Sequence, residues 1–429
     1  MVYAIFMHRV GLLKVKPRVV EGRVRQRVAH PGRQLRRAMP QNRLPAVFMR
    51  GGTSKAIVFH ARDLPRARAD WDGIFLAAIG SPDPNMRQLD GMGGGVSSLS
   101  KVCVVGPPTR ADADVDYTFA QVLIDKARVD YHGNCGNMSS AIGPFAIDEG
   151  LVAPARDGQA VVRIHNTNTQ KIIVSRFAMD GSEAAVCGDM ELDGVACTGA
   201  PIRLEFMAPG GAKTGRLLPT GAATDTLDVA GLGRVRVSMV DAANPCVFVP
   251  ANAVGATATE LPGEIEANAN LLRRLEAVRR SAAVAMGIAD DVVHAANVSM
   301  PLVGFIAPPV AMRVLSGRRF ADGDMDIAVR MLSNGQAHRA TPLTAALCLA
   351  VATRVPGSIP NALAHELREG TSRIRIAHAS GVIVVDAQVE QAVGNGEPCA
   401  NYAAVYRTAR RLFEGNVLYA ARTPGTAAA

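Results

Sequence analysis

The feature that most constrains the fold is an internal repeat, because three short motifs occur in the same order in both halves of the chain. Within each pair of motifs the residues match at a constant offset. The pairs are Gly51–Leu64 with Asp241–Val254, Ser97–Pro108 with Val298–Pro309, and Asn134–Phe145 with Thr341–Ala352. One such match is weak evidence, but three in one order indicate that a single unit was duplicated.

The residue types in the motifs predict the elements that they form. The first two pairs are polar turns or loops followed by an apolar strand, and the second ends in a double proline, which cannot donate to a β-sheet. The third pair is a turn that runs into an alanine-rich helix. Alternating segments at Val115–Ile124 and Arg373–Val389 are typical of antiparallel strands. Strands arranged around one buried helix in each half favour an α+β fold over a doubly wound sheet.

The duplication also predicts the domain organisation. We expect two similar domains at residues 39–218 and 219–429, with the boundary in the Gly/Thr/Ala/Pro-rich stretch Gly210–Thr226. A chain of 429 residues is too long for one ordinary core and suits two. A return of the C-terminal segment onto the first domain is compatible with this division.

Residues 1–38 form a basic N-terminal extension. They hold ten Lys or Arg against one acid, Glu21, which accounts for the whole net charge of +9. Three interpretations stay open: a start-site artefact or disordered leader ahead of Met39, a targeting peptide, and a nucleic-acid-binding tail. The remaining body is neutral, whereas a nucleic-acid footprint needs basic residues clustered on a folded face. We therefore expect no nucleic-acid partner.

Cysteine usage and apolar content set further limits. The seven cysteines form no CxxC pair and no Cys/His spacing typical of metal ligands. An odd number of thiols without a signal peptide indicates a reducing compartment, so we expect a cytoplasmic protein. The longest apolar run with few interruptions, Pro342–Ala352, is too short to span a bilayer. We therefore expect no membrane partner and no bound metal.

The turn Asn134–Asn137 is the strongest candidate for chemistry. It opens a predicted helix, and the first N–H groups of a helix are unpaired and bind carboxylates well. Cys135 would lie in that field, which favours the thiolate and makes the side chain usable as an acid/base or nucleophile. The alternative is a small cysteine buried in a tight turn. The glycine and asparagines around it favour the functional interpretation.

Three other motifs leave their roles open. Arg50–Lys55 (RGGTSK) lacks the spacing of a phosphate loop, and Lys55 is either a partly desolvated proton-transfer group or a solvated turn residue. Asp90–Gly95 (DGMGGG) has a misplaced third glycine, which favours a flexible loop over a dinucleotide loop. His338 and Arg339 precede the second helix and either bind a carboxylate or form a solvated pair.

Several of these runs together resemble the PrpF family of allylic isomerases. The resemblance rests on MRGGTSKAIVF, SPDPNMRQLDGMGGGVSSLSK, VDYTFAQVLIDK and GNCGNMSSAIGPFAI, and later on AHRATPLTAALCLAVA, RVPGS and HASGVIVVDA. It extends from Arg43 to Glu414. The family includes 2-methylaconitate isomerase, methylitaconate Δ-isomerase and 4-oxalomesaconate tautomerase.

The resemblance implies a diaminopimelate-epimerase-like fold. Its two pseudo-symmetric α+β domains are each a mostly antiparallel sheet wrapped around a central helix, with the active site between them. Epimerases of that fold place one cysteine at each helix start. Cys135 matches the first position, but the second falls near Pro342, so the thiol pair is absent. The family is instead thought to use the lysine of RGGTSK, here Lys55, together with Cys135 and without a cofactor.

The implied chemistry is a 1,3-allylic shift. A proton leaves one carbon and another is delivered two carbons away, through a dienolate whose charge needs preorganised donors. The residues expected to bind substrate carboxylates are Ser54, Ser98, Gly136, Asn137, Met138, Asn244, Leu343 and Thr344. The expected ligand is an unsaturated di- or tricarboxylate such as 2-methylaconitate, and a homodimer is an open possibility. Leu302 departs from the lysine that many members carry there, which leaves the choice of polycarboxylate open.

Two rival functions stand beside this interpretation. A non-catalytic accessory protein to an iron–sulfur dehydratase is disfavoured by the intact Lys55 and Cys135. A racemase or epimerase is disfavoured by the missing second cysteine. Among substrates, the sequence does not choose between 2-methylaconitate, aconitate, methylitaconate and oxalomesaconate.

Overall fold

The apolar strands expected from the sequence join in a sheet system that contains the same arrangement twice. The computed structural model describes residues 41–131, 133–154, 158–333, 335–365, 372–391 and 396–420. The basic extension 1–38, and with it the three interpretations of its role, lies outside the described residues.

The elements of the described residues are as follows in chain order. The earlier strands are β1 (Asn42–Gly51), β2 (Ser54–His60), β3 (Lys101–Gly106), β4 (Val115–Val122), β5 (Val129–Asp130), β6 (Gln159–Asn166), β7 (Lys171–Asp180), β8 (Glu183–Ala184) and β9 (Ile202–Met207). The later strands are β10 (Asp225–Val229), β11 (Gly233–Ala242), β12 (Asn244–Pro250), β13 (Leu302–Ala307), β14 (Met312–Arg313), β15 (Arg319–Phe320), β16 (Ile327–Ser333), β17 (Gln336–Ala337), β18 (Arg373–His378), β19 (Gly381–Gln391), β20 (Pro398–Arg407) and β21 (Ala409–Tyr419). The α-helices are α1 (Trp71–Ile79), α2 (Gly136–Asp148), α3 (Pro262–Ala267), α4 (Ala269–Ala285), α5 (Leu343–Thr353) and α6 (Ile359–Leu363).

Both halves share one order of strands. In the first half the order is β1-β2-β3-β4-β6-β7-β9, and in the second it is β11-β12-β13-β16-β18-β19-β20. Successive neighbours are antiparallel, parallel, antiparallel, parallel, antiparallel and antiparallel in the first half. The second half repeats that series. The repeat in the sequence is therefore a repeat of the fold.

Strand register agrees with the motif alignment residue by residue. Ile57 of β2 lies opposite Val102 of β3, and Val247 of β12 lies opposite Val303 of β13. These are the residues that the motifs place at equivalent positions. A slip of one residue would turn every side chain to the other face of the sheet. The two halves therefore present equivalent side chains to equivalent faces.

A buried helix covers one face of each half. α2 begins at Gly136 and α5 at Leu343, which are equivalent positions in the third motif pair. All of α5 except Thr344 is buried, and α2 is buried almost as completely. A helix that is apolar on all sides has to be enclosed. Both helices belong to one apolar core that is shared by the two halves.

The opposite faces of the sheets carry the other helices. α1 packs on the first half over Ile57 and Phe59, and α4 packs on the second half over Val247 and Val303. Mostly antiparallel sheets around one central helix in each half confirm the predicted α+β fold class.

The chain's last strand returns to the first half. β21 pairs with β1, just as β10 pairs with β11, and β9 pairs with β20 to join the two halves. The residues from Gln41 onward cluster as one compact unit. The domain boundaries 39–218 and 219–429 therefore stay a prediction.

Candidate functional site

The two buried helices begin next to each other. A β-carbon added to Gly136 would lie 2.5 Å from Cδ2 of Leu343, so any larger residue would force the Leu343 side chain to shift. Cys135 and Pro342 are the residues that precede the two first turns. The unpaired N–H groups of those turns, and roughly half a positive charge at each helix end, are therefore concentrated in one region.

The turn between β1 and β2 packs against the start of α2. β-carbons at Gly51 or Gly52 would collide with the backbone or side-chain oxygen of Asn137. Gly52 also has φ +52°, a conformation that other residues rarely adopt. The side chain of Asn137 donates to Thr53 Oγ1 at 3.1 Å. The two glycines of RGGTSK are thus explained by close approach to a helix start.

A cleft of about 400 Å³ opens at the two helix starts. Asn137 and Leu343, both predicted from the sequence, are among the residues that line it. Its remaining polar lining consists of Thr53, Glu191, Asp193, Arg318, Thr341, His378, Tyr406 and Arg407. Thr341 Oγ1 is buried without a hydrogen-bond partner among the residues that the structure describes. The cleft therefore offers donors from both halves.

Arg407, the last residue of β20, is the buried cation of the cleft. Its side chain is 7% exposed, and burial lowers its pKa to about 10. Nε donates to Asn137 Oδ1 at 3.1 Å, and Nη1 donates to the Tyr406 carbonyl at 2.8 Å. Within the described ranges no carboxylate pairs with this guanidinium. A buried cation without a carboxylate at a helix start is a site for an anion.

His378, the last residue of β18, also lines the cleft and is 5% exposed. Burial lowers its pKa to about 4, and the positive charges of Arg330 and Arg407 act in the same direction. Its Nδ1 accepts the backbone N–H of Ser380 at 3.1 Å. The ring is therefore neutral near pH 7, with its proton on Nε2.

Cys135 and Ser54 are neighbours, with 4.0 Å between Sγ and Oγ. Ser54 is 3% exposed, and Ala56, two residues further along β2, packs in the core around α2. The structure thus brings together two residues that the sequence predicted for the site.

Lys55 lies on the other face of β2. Ile57 and Phe59, which point to the same side of the strand as Lys55, pack in the core under α1. Lys55 Nζ is 5.6 Å from the ring centroid of Phe48, which packs against that same core. The structure does not bring the predicted base to Cys135, because side chains alternate along a strand.

A second lysine lies on the face that carries α2. Lys101 begins β3 and is 7% exposed. It points to the same side of the strand as Cys103, which packs around α2. Its Nζ donates to Gln121 Oε1 at 2.5 Å and is 5.0 Å from the ring centroid of Phe119. No role for this residue was predicted from the sequence.

Lys101 and Cys135 belong to one electrostatic cluster. Burial raises the pKa of Cys103; an ionised Cys135 raises it further, whereas the ammonium of Lys101 lowers it. Burial also raises the pKa of Tyr117, and the charges of Cys103 and Cys135 act in the same direction. Cys103 Sγ and Tyr117 Oη are 3.8 Å apart. Lys101 and Cys135 are therefore both close enough to Cys103 to change the pKa of its thiol.

The remaining predicted residues lie on several elements of both halves. Met138 is fully buried, so only its backbone N–H is available to a ligand. Thr344 is the second residue of α5, and Asn244 is the first residue of β12, equivalent to Ser54. Ser98 is in a short 3-10 turn that leads into β3. All three are half-buried.

Two features are absent from the part of the chain that the structure describes. No group of three or more His, Cys, Asp or Glu side chains there could hold a metal ion. None of the helices there is long and apolar enough to cross a membrane. Metal independence remains a prediction.

Comparison with known proteins identifies the family. The sequence matches the family described as PrpF protein over residues 41–420. This chain belongs to the PrpF family. It is 42% identical to the 3-methylitaconate isomerase of Eubacterium barkeri, over 88% of this chain and 97% of that protein. It is 39% identical to the 2-methyl-aconitate isomerase of Shewanella oneidensis, again over 88% and 97%. The crystal structure of a methylitaconate-delta-isomerase aligns with a TM-score of 0.81 at 39% identity, covering 90% of this chain and 99% of that one.

The predicted family, enzyme class and diaminopimelate-epimerase-like fold are confirmed. The PrpF relatives are isomerases that this chain matches over nearly their whole length, so the chain is an isomerase. The candidate site adds Lys101, His378 and Arg407 to the predicted residues, and it does not include Lys55. Lys101 had a sequence signal, since it is a lone charge at the start of an apolar strand. His378 begins the run HASGVIVVDA, which is one of the family-like runs, but no role for it was predicted. Arg407 had no local signal, because only strand pairing brings it to the cleft.

Proposed function

We propose that this PrpF protein moves a proton between allylic carbons of an unsaturated di- or tricarboxylate. The observation that carries the proposal is the buried guanidinium of Arg407 beside the start of α2. Leaving a buried cation without a counter-ion is costly, and a substrate carboxylate supplies one. The names of the relatives, which are isomerases of methylitaconate and methyl-aconitate, agree with such a ligand. Cytoplasmic location and a homodimer remain predictions.

The reaction needs one group to take a proton and another to give one. In the form of the enzyme that has a neutral amine and a neutral thiol, the amine removes the proton from the γ-carbon. The C–H electrons form a new double bond as the old one shifts. The negative charge of the dienolate spreads onto the carboxylate held by Arg407 and the helix N–H groups. The Cys135 thiol then protonates the α-carbon. Proton exchange between the resulting ammonium and thiolate restores the enzyme.

We assign the amine to Lys101. It shares the α2 face of the sheet with Cys103, and it is buried among groups that respond electrostatically to Cys135. Lys55 is the alternative base. It is less favoured, because a rotation at the edge of the first turn would be needed to bring its amine to the same face. The two lysines are separable by mutation.

The test is an ultraviolet assay with 2-methylaconitate, aconitate, methylitaconate and oxalomesaconate, run in ²H₂O and followed by mass spectrometry. We expect turnover of at least one substrate, and a product that gains one deuterium from solvent. The same rate is expected after EDTA treatment, because helix-start donors replace a Lewis acid. Absence of turnover with all four compounds, in protein shown to be folded, would contradict the proposal.

A further inference from the structure

We propose that His378 is a substrate-binding residue whose Nε2–H donates to a second carboxylate of the same ligand. This inference rests on the proposed function, since it assumes that Arg407 holds a first carboxylate in the cleft. It adds a polar anchor from the second half of the molecule, in the cleft that Asn137 at the start of α2 also lines.

The surroundings of His378 determine which ring nitrogen carries the proton. The side chain ends β18, lines the cleft together with Arg407, and is 5% exposed. Nδ1 is occupied, because it accepts the N–H of Ser380 at 3.1 Å. In the neutral ring the hydrogen is then on Nε2. The turn thus determines the tautomer, and Nε2–H is the donor left for a ligand.

Burial and the neighbouring positive charges keep the ring of His378 neutral, so it acts as a neutral donor. Burial opposes protonation of His378, and so do the cations Arg330 and Arg407. A neutral donor beside a buried guanidinium adds a directed hydrogen bond without adding a second charge to desolvate. The combination suits a ligand with two carboxylates, of which one pairs with Arg407 and the other accepts from His378.

The first half provides a natural comparison. Val115 and Ile327 begin β4 and β16, and they pair with Ile164 and Ile376, which makes Asn166 the counterpart of His378. Asn166 Oδ1 also accepts a backbone N–H of its turn, from Thr169 at 2.9 Å. Asparagine therefore holds the equivalent turn of the first half, through a backbone N–H one residue further along. Its Nδ2 donates to Asn134 Oδ1 at 3.2 Å, whereas His378 lines the cleft.

This comparison supplies matched variants. His378→Asn keeps an acceptor where Nδ1 is, as Asn166 does, but removes the Nε2–H donor. His378→Gln places an amide N–H near the position of Nε2 but removes the acceptor for Ser380. A ligand-binding role predicts that Gln is the better substitute, and a purely structural role predicts Asn.

The experiment measures binding of propane-1,2,3-tricarboxylate, a saturated and unreactive probe, by calorimetry. We expect His378→Asn to weaken binding at least about tenfold and His378→Gln to weaken it less than about threefold. Melting temperatures of both variants show whether the turn is intact. The opposite order, with Asn near wild type and Gln impaired, overturns the proposal, as does an absence of probe binding by the wild-type protein. Binding without turnover of any unsaturated substrate would instead refute the proposed function and leave the role of His378 standing.

Discussion

The two helix starts lie at equivalent positions of the repeated fold and have different chemistry. α2 and α5 begin at equivalent residues and are flanked by strands in the same register. Around α2 the side chains at four positions are polar or ionisable, and around α5 none of the counterparts is. The first set is Lys101, Cys103, Tyr117 and Cys135, and the second is Leu302, Gly304, Val329 and Pro342.

The difference indicates that duplication gave both halves the same backbone fold. Later substitutions then gave the two helix starts different functions. Two unpaired helix ends are useful together, because each adds N–H donors to one cleft. An acid/base pair is needed only once. The second half, free of that role, contributes His378 and Arg407 to the lining of the cleft. Substitutions in the first half and in the second half should therefore give different kinetic defects.

The largest effect is expected in the first half. Lys101→Met should lower kcat at least about a thousandfold, because a positioned proton-transfer group is lost. Lys55→Met should lower it less than about tenfold, since that amine lies on the opposite face beside Phe48. Steady-state kinetics on the substrate found in the panel measures both. If Lys55→Met is the inactive variant while Lys101→Met turns over normally, the family-based expectation for Lys55 is right and our assignment is wrong.

The second effect should appear in binding. Arg407→Gln should raise KM about a hundredfold, equivalent to about 2–3 kcal/mol for a lost charged hydrogen bond. Arg318→Gln is the matched control, because that side chain also lines the cleft but is exposed. It should raise KM less than about tenfold. Equal effects of the two changes would show that Arg407 acts only through general positive charge.

Local sequence patterns were enough to predict the main strands and helices and their duplication. Turn residues, apolar runs and the alanine-rich helices predicted β2, β3, α2 and α5 close to their observed bounds. The position of Cys135 at a helix start followed from the same pattern. These features depend on neighbouring residues alone, which is why one sequence sufficed.

The facing of side chains across the sheet was harder to predict. Lys55 and Lys101 both lie at the start of an apolar strand, and only the packing of α1 and α2 decides which face is functional. Arg407 is 270 residues from Asn137, and its role depends on the pairing of β20 with β9. Such long-range pairing leaves no local signal.

The third prediction tests the contact between the two helix starts. Gly136→Ala should destabilise the fold by about 1–3 kcal/mol, because its β-carbon would overlap Cδ2 of Leu343. Leu343→Ala in the same chain should recover most of that loss, since it removes the colliding atoms. A double-mutant cycle by chemical denaturation measures the coupling. Purely additive effects would mean that the helix starts are farther apart than the structure shows.

The smallest effect separates the thiol of the site from a thiol of the core. Cys348 lies inside α5, is fully buried, and its Sγ is 3.3 Å from the carbonyl of Val240. Cys348→Ser should cost about 1–2 kcal/mol of stability, because a hydroxyl is less easily buried than a thiol, and should leave kcat unchanged. Cys135→Ser should do the reverse, since that side chain is half-buried at a helix start and the change keeps the turn but removes the thiol. Denaturation and kinetics on both variants decide the point. A folded Cys348→Ser protein without turnover would place the chemistry in the second half and refute the division of roles between the helix starts.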